Sequence, residues 1–103
     1  MTPMTLADGT QLESPIRRQV HRHSWQWARE GSADCTCIEE VFPAGGGRER
    51  MFLHALVVRD TSTESGSYVA TRFLWAIVNH HLTRGWTIQQ CDASAAVLLG
   101  PAP

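Results

Sequence analysis

The side chains in this 103-residue chain that could do chemistry are three cysteines, five histidines and nine arginines, with no lysine. Cys35-Thr36-Cys37 places two thiols on one side of an extended segment, because side chains alternate faces there. Cys91 could join them from another strand, and a histidine would complete a tetrahedral zinc set. Structural zinc, however, takes thiols spaced a few residues apart in a turn and usually in two pairs. This spacing suits buried free thiols better, and no metal is expected.

His54 falls inside an apolar run and His81 on the apolar side of a helical pattern. Each suits a hydrogen-bonded core histidine. The alternative is a general base in an apolar pocket, for which no carboxylate lies nearby in sequence. Glu39 and Glu40 read as one solvated and one rim residue rather than a catalytic pair. Gly45-Gly46-Gly47 lacks the Lys-Ser/Thr pair and following helix of a phosphate loop, and no serine has nucleophile-elbow context. No cofactor is expected.

The basic residues carry the clearest local signal. Ser14 and Pro15 resemble an N-cap and first helical position, and Gly31 a stop, so the pattern predicts a helix over 14–30. On that helix Ile16, Val20, His23 and Trp27 share one side. Arg18, Arg22, Trp25 and Arg29 share the other, which leaves Trp25 exposed and Trp27 buried. Arg and Trp dominate binding hot spots, so these four are candidate partner-binding residues. A solvated basic face with one incidental tryptophan explains them equally well. The net charge of -1 and pI of about 6.5 supply no global attraction to nucleic acid or an anionic membrane.

The elements that would position these groups follow from periodicity. Residues 67–84 form the strongest helical pattern. Ala70, Leu74, Ile77, Val78, His81 and Leu82 share a broad face that Phe73 and Trp75 widen, and Gly85 stands where a left-handed cap belongs. Residues 34–42 and 50–60 read as strands joined across the glycines. The second is apolar on both faces, with Phe52, His54, Leu56 and Val58 on one of them, so it should be central and covered on both sides. Residues 86–91 alternate with period two and predict a half-buried strand; 93–99 would add an edge strand or a tail. Asp8-Gly9 signals a small N-terminal hairpin within 1–13, and 100–103 a frayed end.

The length sets one domain, 1–103. The order β-α-β-β-α-β predicts an α+β fold with two helices on one face of an antiparallel sheet, the ferredoxin-like arrangement. The N-terminus lacks the charged and apolar regions of a signal peptide. The longest purely apolar run, 73–78, is far too short to span a bilayer, and the odd cysteine count argues against a disulfide framework. These features predict a cytoplasmic location.

The functional expectation is a small non-catalytic protein that acts by binding another protein, as a regulator or inhibitor sequestering, for instance, a transcription factor or an enzyme. The alternatives are a small enzyme with an apolar pocket and a histidine base, and a nucleic-acid accessory protein. Surplus apolar surface predicts a homodimer, with Phe52, Leu56 and Val58 as further contact residues.

Overall fold

The computed structural model describes residues 4–5, 11–12, 14–27, 31–60 and 66–103, with backbone alone at 4, 5, 11, 12, 27, 60, 66 and 67. Two short strands, β1 (Met4–Thr5) and β2 (Gln11–Leu12), pair antiparallel. Five more build the main sheet: β3 (Arg17–Trp27), β4 (Gly31–Gly45), β5 (Arg48–Asp60), β6 (Thr87–Cys91) and β7 (Ala95–Pro101). All neighbours are antiparallel, in the spatial order β3-β4-β5-β7-β6. One helix, α1 (Gly66–Leu82), connects β5 to β6.

This architecture corrects the ferredoxin-like expectation. The predicted helix over 14–30 is instead β3, so the sheet carries one helix and not two. The chain runs as a three-stranded meander, crosses the sheet once through α1, and returns as a hairpin. The helical reading of β3 rested on Ser14-Pro15, on Gly31 and on polar residues that fit either period. Pairing with β4 from Arg17↔Val41 to Trp27↔Gly31 overrides those local preferences. β3 is an edge strand, and edge strands commonly carry charge that discourages further pairing. That makes its hydrophobic alternation weak.

The core lies between α1 and one face of the sheet. Val69, Ala70, Phe73, Leu74, Ile77 and Val78 of α1 are buried against Cys35, Cys37 and Val41 of β4, Met51, Leu53 and Ala55 of β5, and Ala96 and Leu98 of β7. Spacings of three and four on the helix meet a spacing of two on the strands, as two packed layers require. Gly85 (φ 93°) adopts the left-handed cap conformation, and the Trp86 N–H donates to the His81 carbonyl, closing the helix.

Two further expectations change. β5 is covered by the helix on one face only; Phe52 and Leu56 on the other are 44% and 41% exposed, and Val58, at the register shift, is 64% exposed. β7 is an interior strand between β5 and β6, and β6 takes the edge. Gly100, assigned by sequence to a loose end, is buried under Trp86, and the Ala102 N–H donates to the Gly47 carbonyl. Among the described residues, no helix is long and apolar enough to cross a membrane.

Candidate functional site

Strand register decides which side chains meet. Residues directly opposite in an antiparallel pair share a face, so the helix-free side consists of cross-strand rows. One row runs Arg18, Glu40, Phe52, Val97 and Gln90; the next runs Val20, Ile38, His54 and Ala95; a third runs Arg22, Thr36 and Leu56. Phe42, Arg50 and Leu99 form a fourth toward the hairpin turn. At the opposite end, the register shift between Asp34 and Cys35 leaves Val58 exposed beside the core-packed Val57. Phe42 and Phe52 meet edge to face with ring centroids 5.5 Å apart.

The helix-free face of β5 thus presents Phe52, His54 and Leu56, with Phe42 against Phe52 and with Ile38 and Val97 alongside. Arginines surround it: Arg18 and Arg22 on the β3 side, Arg48 and Arg50 toward the turn, Arg59 at the far end. Arg18 stands 3.9 Å from Glu40 and Arg59 3.8 Å from Asp34. Arg50 Nε donates to Gln89 Oε1 at 3.1 Å. These contacts are exposed, where ion pairs contribute little stability.

Register places four of the seven sequence-predicted contact residues on this face, Arg18, Arg22, Phe52 and Leu56, and Val58 is exposed at the bulge beyond them. A spacing of four keeps Arg18 and Arg22 together on a helix and on a strand alike, so they stay together although the predicted element was wrong. Trp25, seven residues beyond Arg18, changes side. It is partly buried on the helix-covered face, 5.7 Å from Phe73 and 4.2 Å from His23 between ring centroids. This overturns its placement among the arginines. Arg29 and the Trp27 side chain lie outside the described residues.

His54 stands exposed on the helix-free face. His81 is partly buried and acquires a carboxylate that sequence proximity did not reveal. Its Nε2 lies 2.9 Å from Glu39 Oε1, and His21 Nε2 lies 3.1 Å from the same oxygen. Glu39 is only 8% exposed, so reading it as a solvated or rim residue was incorrect. The missed signal was period two, since Cys35, Cys37, Glu39 and Val41 all point inward. One oxygen therefore connects β3, β4 and α1.

A second inward carboxylate, Glu49, receives both terminal nitrogens of Arg17, one at 3.0 Å. This hydrogen-bonded guanidinium holds the Glu49 carboxyl below the usual range and raises Arg17 in turn. Burial, together with the charge of Glu39, pushes the Cys37 thiol up to about 11, where it is a poor nucleophile and ligand.

The thiols do not converge. Cys35 and Cys37 are buried and Cys91 is exposed on the far edge strand. Among the described residues, no cluster of three or more His, Cys, Asp or Glu has metal-holding geometry. An open depression of about 270 Å³ is lined by Gln90, Cys91, Asp92 and residues 95–97; neither His54 nor His81 lines it.

Comparison with family models, curated proteins and solved structures yields no match for this chain.

Proposed function

We propose that this chain is a non-catalytic binding protein that uses the helix-free face of its sheet to occupy another protein as a regulator or inhibitor. The observation that carries this reading is the row of exposed side chains Phe52, His54 and Leu56 along the helix-free face of β5, within a rim of arginines. An apolar centre with a polar rim is the anatomy of a protein contact, and Arg is enriched in such contacts. The overall charge of -1 supplies no global attraction to a phosphate backbone, which favours a protein partner over nucleic acid. Three cysteines, an odd number, suit work in a reducing compartment such as the cytoplasm.

The test is affinity capture from the native host with the wild-type chain and a Leu56→Asp/Val58→Asp variant, both checked for folding. A protein retained by the wild type and lost by the variant supports the reading. Identical retained sets would sink it.

A further inference from the structure

The charge on the helix-free face defines the partner's chemistry further, given that this face is the protein-binding surface. Five arginines stand on it (Arg18, Arg22, Arg48, Arg50 and Arg59) against three carboxylates, Asp34 and Glu40 on β4 and Asp92 opposite Ala95 at its edge, among the described residues. Among the described residues the face therefore carries a net charge of +2, five minus three. Asp34 and Glu40 engage Arg59 and Arg18 loosely, at 3.8 and 3.9 Å. Arg22 and Arg48 have no carboxylate within ion-pair distance among the described residues, and Arg50 meets only the neutral Gln89.

We infer that the occupant of this face is a foreign protein surface with an apolar centre and an acidic rim. Complementary potential guides encounter and selects the partner, whereas like charges brought together are strongly disfavoured. A second copy laid face to face would oppose one arginine rim with another. The apolar surplus that sequence analysis assigned to a homodimer is therefore better covered by carboxylate-bearing surface. Arginine suits the task because its planar fork grips a carboxylate through two hydrogen bonds.

Fluorescence anisotropy tests this with three probes. One is a labelled amphipathic peptide with leucines on one side and glutamates on the other. The second has lysines in place of the glutamates, and the third is a single-stranded oligothymidylate. The acidic peptide should bind about tenfold or more tighter than the lysine peptide, and the gap should shrink in about 0.5 M salt. Arg22→Glu/Arg48→Glu should erase the preference without moving the melting temperature, since both side chains are exposed. Equal or reversed peptide preference overturns the inference, as does tighter binding of the oligothymidylate. A concentration-dependent doubling of mass in light scattering that Leu56→Asp abolishes overturns it in favour of a second copy. Lost peptide preference with intact host capture removes only the acidic character of the partner; loss of both removes the protein-binding reading as well.

Discussion

One sheet, built from alternate residues of the same strands, presents two unlike faces. Toward α1, the inward residues of β4 and β5 are almost dry, with Cys37 at 0% and Leu53 at 1% exposure. The carboxylates on that side, Glu39 and Glu49, each find a cationic or hydrogen-bonding partner. Away from α1, side chains of similar apolar size meet water, and ion pairs are loose. The contrast shows that hydrophobicity alone does not assign a residue to the core. Which set of an all-apolar strand is buried depends on where the single helix lands, and β5 permits either choice.

Truncation on the two faces should break apart most clearly. Leu74→Ala removes a side chain with 0% exposure and should cost about 2–5 kcal/mol in urea unfolding. Leu56→Ala on the open face should cost well under half of that. Equal losses would mean that the helix covers the other face.

Gly100 sharpens the same comparison at the edge of the covered face. A Cβ there would stand 2.1 Å from the Trp86 ring, so Gly100→Ala should force the indole aside and cost about 1–3 kcal/mol. Thermal melting with Trp fluorescence would record both the loss and the indole's exposure. An unchanged melting temperature would remove Trp86 from that position.

Glu39 links the covered face to the rest of the sheet. Glu39→Ala leaves two partly buried imidazoles without their shared acceptor and should cost roughly 1–3 kcal/mol by chemical denaturation. Glu40→Ala, one residue away on the open face, should change stability by less than about 0.5 kcal/mol.

The smallest effect concerns pH. Because Arg17 lowers the Glu49 pKa in the folded chain, the unfolded chain binds the proton more readily there. The stabilisation is complete above the unfolded carboxyl pKa of about 4.3 and is lost as pH falls through the lower folded value. The melting temperature of the wild type should therefore decline more steeply below about pH 4 than that of Glu49→Gln. Parallel curves would show that the Arg17 pair contributes nothing.

The elements legible from sequence were those with the strongest local pattern, although 48–58 also admitted a helical reading. α1 has a broad apolar face and a glycine cap, and the β4–β5 hairpin has β-forming runs around glycines that now show φ of 78°, 62° and 73°. β3 was illegible because RRQVHRHSWQW contains few apolar residues and its neighbouring Ser-Pro mimics a helix start. Its strand character is set by partners distant in sequence, as Arg17↔Val41 illustrates. The contact residues were partly legible for a related reason: Arg18 and Arg22 share a side under both periods, whereas Trp25 does not. Glu39 escaped because a carboxylate is ordinarily assigned to solvent, and only tertiary pairing brings His21 and His81 to it.

That shared oxygen also fixes a property of the two rings themselves. An ionised carboxylate can only accept, so both His21 and His81 must carry hydrogen on Nε2 to satisfy Glu39 Oε1. Imidazole in water exchanges between tautomers; here a single acceptor selects the same one in rings from two different elements. Their nitrogen-15 resonances should accordingly form a matched pair, protonated at Nε2, and should revert together to averaged values when Glu39 is replaced by Ala.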